Sequence, residues 1–329
     1  MKHILILGGT KFVGRNITEF LNDQEDYELT LFNRAISNPN LFKNVKQIQG
    51  DRDDLSDVKK IFSKSWDYII DVSCYYPHQL RYVLQGSFKQ LKKYIFISTC
   101  SVYDNDAYQK ELRDERAPTL ACSIQQETDK SPSTYGNRKA ACERALIASG
   151  LPYTILRPAL IYGKYDPTDR LYYWLYQVKS QQEIILPENG ERKFSITFID
   201  DLVNIVQTLL ESKPENQIFN CISSPTTSIA KILETCEAEY QRRVSKFEAT
   251  AEFLEDNKIN QWSGIPLWLN SDYFTYSNQR VLDELSLLPT DFKESIRKTI
   301  DYYDQRGYLE PEFGIKDWQK RALIRKLKG

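Results

Sequence analysis

Lys2-His3-Ile4-Leu5-Ile6-Leu7-Gly8-Gly9-Thr10-Lys11-Phe12-Val13-Gly14-Arg15 decides how this chain folds. Ile4 to Leu7 is a short apolar run of the kind a parallel strand shows when both its faces are buried. Gly8 and Gly9 make a turn. Apolar residues then recur with helical spacing at Phe12, Val13, Ile17, Phe20 and Leu21. A strand, a glycine turn and a helix in immediate succession make a phosphate-binding beginning. Glycine lets the backbone approach a pyrophosphate, and the helix start offers unpaired N–H groups and partial positive charge.

Downstream, strand-like runs at Glu28–Phe32, Val45–Gln49, Tyr68–Asp71, Lys93–Ser98 and Tyr153–Arg157 alternate with helical patterns at Leu55–Ser63, His78–Lys89 and Tyr135–Ser149. This alternation predicts an α/β protein with a doubly wound parallel sheet. Gly8, Asn33, Asp51, Asp71 and Thr99 then fall at strand C-terminal ends, on the one edge where such sheets bind ligand. After residue 163 the pattern changes. Arg170–Ser180 reads as a tyrosine-rich helix, Ile184–Leu186 and Phe194–Thr197 as short strands, and Asp201–Leu210 as a helix. We expect a dinucleotide-binding domain over 1–163 and a smaller, interleaved substrate-binding domain over 164–329, with helix 201–211 returning to the first. The stretch Asp104 to Pro132 has no clear period and reads as a flap over the substrate or a disordered surface loop.

Tyr135 and Lys139 sit four apart, on one helix face. A phenol beside an ammonium makes an acid–base unit, and the positive charge is expected to pull the phenol pKa down. Taken together, the motifs resemble the extended short-chain dehydrogenase/reductase family, epimerase/dehydratase branch. Gly8-Gly9-Thr10-Lys11-Phe12-Val13-Gly14 resembles its glycine motif, and Tyr94 to Tyr103 its Ser/Thr strand. Tyr135 and Lys139 resemble its YxxxK pair. Leu156-Arg157-Pro158-Ala159-Leu160-Ile161-Tyr162-Gly163 and Phe198-Ile199-Asp200-Asp201-Leu202 resemble its later signatures. The resemblance implies a Rossmann fold with catalytic Thr99, Tyr135 and Lys139. It implies cofactor contacts from Gly8, Thr10, Lys11, Phe12, Val13, Asn33, Arg34, Asp51, Arg52, Tyr135, Lys139 and Pro158.

Two departures bear on the cofactor. Asn33 stands where NAD enzymes usually carry an acid, followed by Arg34, and Lys11 replaces a glycine of the motif. Both add positive charge near the adenosine ribose and favour NADP over NAD. The reaction expected from the resemblance is hydride transfer at a sugar carbon of a nucleotide sugar, with Tyr135 as acid/base. The alternatives are an NADPH-dependent reductase of a non-sugar carbonyl compound, and a catalytically silent dinucleotide sensor or RNA-associated protein. The last rests on the GGT-x-F-V-G form and the Asn33-Arg34 pair, which resemble a subgroup with chloroplast RNA-associated relatives.

With 329 residues and a formal net charge of −1, the chain gives no electrostatic reason to expect nucleic acid or an anionic membrane. Six cysteines without CxxC spacing and two histidines predict no metal site and free thiols in a reducing cytoplasm. The first strand begins at once, with no segment that reads as a signal peptide. Helices 78–89 and 135–149 carry apolar surface for one face and little for a second, which predicts a monomer or weak homodimer.

Overall fold

The computed structural model describes residues 1–329 apart from Pro214, Asn270 and Asp272. β1 (Lys2–Leu7) leads through the glycine turn into α1 (Phe12–Asn22), and β2 (Tyr27–Asn33) and β3 (Lys46–Gln49) follow. α2 (Leu55–Val58), β4 (Tyr68–Asp71), α3 (Pro77–Val83), β5 (Lys93–Ile97), α4 (Ile124–Thr128), α5 (Tyr135–Ala148) and β6 (Tyr153–Pro158) come next. The second half adds β7 (Leu160–Tyr162), α6 (Arg170–Ser180), β8 (Glu183–Pro187), β9 (Phe194–Phe198), α7 (Ile199–Glu211) and β10 (Gln217–Cys221). It ends with β11 (Ser224–Thr227), α8 (Ile229–Glu239), β12 (Ser245–Ala249), α9 (Ala251–Asp256), α10 (Gln279–Leu285), α11 (Phe292–Asp304) and α12 (Asp317–Lys328).

The main sheet has seven strands in the order β10-β6-β5-β4-β1-β2-β3, all parallel. Chain order reverses between β1 and β4, which opens a crevice at their C-terminal ends. Leu7 is in register with both Phe32 and Asp71, so the loops after β1, β2 and β4 leave the sheet at one level. Successive residues of β1 point to opposite faces. Ile4 and Ile6 join a core with α1, α7 and the second half of the chain, whereas Leu5 and Leu7 join one with α2, α3 and α5. The helix at 199–211 lies against α1, and β10 adds a seventh strand beside β6. Tyr68 and Lys93 tie α7 to the sheet by donating to the carbonyls of Leu210 (2.8 Å) and Leu209 (2.7 Å).

Two expectations need correction. The helix expected over 78–89 stops at Val83. A Cβ on Gly86 would lie 2.6 Å from the Phe88 ring and 2.7 Å from that of Phe62, so the chain turns there. The 104–132 stretch is not the disordered surface loop of the two readings: it carries α4 and is tied to the second half of the chain. Buried Arg113 donates to Asn105 and to the Tyr273 carbonyl, while its backbone N–H donates to Thr275 O at 3.2 Å and its carbonyl accepts from Ser277 N at 2.9 Å. No helix among the described residues is long and apolar enough to cross a membrane, and all six cysteines are free.

Candidate active site

A cleft of about 610 Å³ opens at the strand reversal. Of the residues expected to hold cofactor, Gly8, Thr10, Lys11, Phe12, Val13, Asn33, Arg34, Asp51 and Arg52 all line it. A Cβ on Gly14 would lie 2.7 Å from Gly9 N, so only glycine lets α1 start this close to the turn. Lys11 at the helix N-cap makes no capping bond, and the first turn of α1 carries no acidic residue. The N–H groups there are open to an anion, as a pyrophosphate requires. These features fit a dinucleotide.

At the adenosine end the side chains are partly committed to one another. The Asn33 Oδ1 accepts from Ala35 N at 2.8 Å, and its Nδ2 donates to Gln47 at 3.1 Å, so this asparagine shapes its own turn. Arg34 is exposed, 4.0 Å from the Asp51 carboxylate. Arg52, expected on the cofactor, spends its guanidinium inside the protein. It binds both oxygens of buried Asp71 at 2.7 and 2.9 Å and the Ser73 hydroxyl at 3.1 Å. Tyr94 donates to the same carboxylate at 2.7 Å. Burial disfavours the Asp71 charge, yet Arg52 and Tyr94 hold its pKa below the ordinary value. Pro158 ends β6 in register with Cys221 and is not among the described residues lining the cleft.

Thr99, Tyr135 and Lys139 come together where β5 ends and α5 begins. Thr99 caps the short turn Cys100–Val102 by accepting from Ser101 N at 3.1 Å. The first turn of α5 packs on it so closely that a Cβ on Gly136 would lie 2.1 Å from Ser101 O. This approach brings the Tyr135 phenol close enough to Thr99 for the threonine hydroxyl to lower its pKa. The Lys139 Nζ donates to the carbonyls of Cys74 at 2.9 Å and Ile97 at 2.7 Å. An ammonium has three donors, so these bonds leave one N–H. Tyr75, which lines the cleft, sits with its ring centroid 6.4 Å from that of Tyr135 and joins the two regions.

The expected direction of the Tyr135 pKa is reversed. Burial pushes the phenol up to about 12, and the Thr99 hydroxyl and the Arg170 charge offset this only in part. Beneath the site, Glu143 of α5 accepts from Ser98 at 2.5 Å and pairs with Arg157 of β6 at 2.6 and 3.0 Å. The Arg-Pro signature thus anchors α5 to the sheet. Sequence reasoning missed Tyr75, Tyr76, Gln79, Pro167 and Thr168, which also line the cleft. Their place in the loops after β4 and β7, or for Gln79 in the first turn of α3, was the available signal.

Residues 4–221 match the NAD dependent epimerase/dehydratase family. The chain belongs to that family. The family is one of NAD-dependent epimerases and dehydratases. A curated relative, the chloroplast stem-loop binding protein of 41 kDa b from Arabidopsis thaliana, is 24% identical over 252 residues. The match covers 71% of this chain and spans 62% of that protein's length. UDP-glucose 4-epimerase from Thermotoga maritima, solved with UDP-glucose, superposes with a TM-score of 0.72 at 18% identity, covering 92% of this chain and 99% of that one. UDP-glucuronic acid 4-epimerase from Bacillus cereus, solved with UDP-glucuronic acid and NAD, gives 0.70 at 17% over 93% and 100%. The dTDP-glucose 4,6-dehydratase of Bacillus anthracis, solved with NAD, gives 0.72 at 14% over 93% and 97%. At these identities the likeness is one of fold.

Proposed function

We propose that the protein transfers a hydride at a sugar carbon of a nucleotide sugar, with Tyr135 as the acid–base. The observation that carries this reading is that Tyr135, on the α5 face it shares with Lys139 and near Thr99, lies with its ring centroid 6.4 Å from that of Tyr75, which lines the dinucleotide-sized cleft. A nicotinamide dinucleotide bound there supplies the hydride acceptor. Thr99 orients the substrate hydroxyl, and Tyr135 takes its proton as a phenolate, formed once the positive charge of the oxidised cofactor offsets the raised pKa. Lys139, pinned by two carbonyls, offers its remaining N–H to the cofactor ribose. The glycine turn and Arg34 hold the phosphates, with NADP preferred over NAD. The six free thiols agree with a reducing cytoplasm. The assembly that goes with this reading is a monomer or weak homodimer.

The test is Tyr135→Phe, which should lower turnover by about 10²–10⁴ while leaving cofactor affinity nearly intact. Full activity in that variant would end this reading. Cofactor use separates the epimerase from a plain carbonyl reductase: the first regenerates its cofactor each turnover, the second consumes NADPH stoichiometrically. The name of the Arabidopsis relative favours a second reading, association with structured RNA. The net charge of −1 gives it little electrostatic support, and salt-dependent RNA retention is its test.

A further inference from the structure

Gly163-Lys164-Tyr165-Asp166-Pro167-Thr168-Asp169-Arg170 leads from β7 into α6. Pro167 and Thr168 form part of the cleft wall. Asp166 fixes the turn, its Oδ1 accepting from Thr168 N at 2.8 Å and Thr168 Oγ1 at 2.7 Å. Asp169, at φ 52°, swings the chain into the helix, and Arg170 is its first residue. The Arg170 guanidinium carbon lies over the Trp262 ring, 4.5 Å from its centroid. It is near enough to Tyr135 and Asp166 to feel their charges, yet no hydrogen bond or ion pair joins it to a described residue.

Other arginines that are buried or partly buried are bonded. Arg52 and Arg157 close on carboxylates, and Arg113 and Arg138 on carbonyls and neighbouring side chains. A guanidinium has five N–H donors in a planar fork, and those of partly exposed Arg170 stay open to an incoming acceptor. Stacking on an indole fixes the plane while leaving the edge free, which suits a bidentate oxyanion. Packing on Trp262 alone would explain the stem but not the unfilled fork beside Tyr135.

We propose that Arg170, held by Trp262, is the substrate-side receptor for an anionic oxygen group, a phosphate or a carboxylate, on the molecule that reacts at Tyr135. This rests on Tyr135 being the reacting centre. It deepens that reading by naming the residue that meets the substrate's anionic group.

The experiment titrates cofactor-loaded, full-chain protein with UDP, UDP-glucose, UDP-glucuronate and free glucuronate by calorimetry. Unaltered protein is compared with Arg170→Gln and Arg170→Lys, and cofactor affinity is measured in each to confirm that the fold is retained. Arg170→Gln is expected to weaken at least one anionic ligand by roughly tenfold or more, with Arg170→Lys between. An equal loss for all three UDP compounds assigns the diphosphate as the group bound. A loss confined to the glucuronates assigns the carboxylate. If only free glucuronate binds and Arg170→Gln weakens it, the nucleotide-sugar reading falls and the anion receptor stands. If UDP-glucose and UDP-glucuronate bind alike and neither variant changes them, the receptor is overturned and the nucleotide-sugar reading stands. Failure of all four to bind the unaltered protein overturns both.

Discussion

Arg52 closes both terminal nitrogens on the buried carboxylate of Asp71, at 2.7 and 2.9 Å, directly under the strand edge where the cleft opens. The pair joins the loop after β3 to the end of β4, and so holds in place two of the loops that line the cleft. Removing one partner leaves the other charge buried and unpaired. Arg52→Ala should therefore destabilise the fold by about 3–5 kcal/mol. Replacing both residues by apolar ones of similar size should recover much of that loss. Chemical denaturation of the single and double variants measures it. A stable Arg52→Ala protein that merely binds cofactor weakly would return Arg52 to the cofactor.

Tyr135 should remain a neutral phenol in the cofactor-free protein across the physiological range. Burial raises its pKa to about 12, so the proton is held more tightly than in water. A tyrosinate absorbance titration of the protein minus that of Tyr135→Phe should show no ionisation of this residue below about pH 10. Oxidised cofactor brings positive charge to the site and should move the difference titration downward. A Tyr135 that ionises near neutrality without cofactor contradicts the burial found here.

The large sheet was legible because buried parallel strands write themselves as apolar runs. Tyr68–Asp71 was read with its observed bounds, and the other expected strands lie within a residue or so of theirs. β10, Gln217-Ile218-Phe219-Asn220-Cys221, was not read, because its partner β6 lies far back in the chain and its polar ends break the run. The cleft was legible for the same reason as the sheet, since glycines and strand ends carry it. What stayed hidden depends on distant partners. Arg52 looks like a ligand contact until Asp71 is seen beside it. The 104–132 stretch looks loose until Arg113 is seen meeting Tyr273 and Thr275. The rise in the Tyr135 pKa comes from burial by surrounding elements, which spacing to Lys139 cannot report.

Asp166 offers a pH test of stability. Burial lifts its carboxyl to about 6 from the ordinary 3.8, against the lowering effect of the Thr168 hydrogen bonds. A folded-state pKa above the unfolded one means the folded protein binds the proton more tightly. Asp166 thus favours folding at low pH, and that contribution is lost as pH rises from the ordinary value through about 6. Asp166→Asn keeps the carbonyl that Thr168 uses and removes the charge. It should stabilise the protein by about 1–3 kcal/mol near pH 7 and flatten this part of the stability profile. Denaturation midpoints measured across the window check this, and an Asp166→Asn protein less stable at neutral pH would show that the carboxylate is wanted there.

The proposed preference for NADP is tested at Arg34. Its guanidinium is exposed at the cleft wall, and its nearest acid, Asp51, is 4.0 Å away, too far for a hydrogen bond. Asn33, in the position that would serve the ribose hydroxyls, is already bonded to Ala35 and Gln47. A ribose without a 2′-phosphate therefore finds no free acid at that position, whereas a 2′-phosphate finds a cation with open donors. Arg34→Ala should weaken NADP(H) by a charge-assisted contact of about 1.5–3 kcal/mol and leave NAD(H) nearly unchanged. Raising the salt should narrow the difference in the unaltered protein, because the site is open to solvent. Fluorescence titration with both reduced cofactors decides it. Equal weakening of the two, or tighter NAD(H) binding by the unaltered protein, would mean that Arg34 belongs to Asp51 rather than to a phosphate.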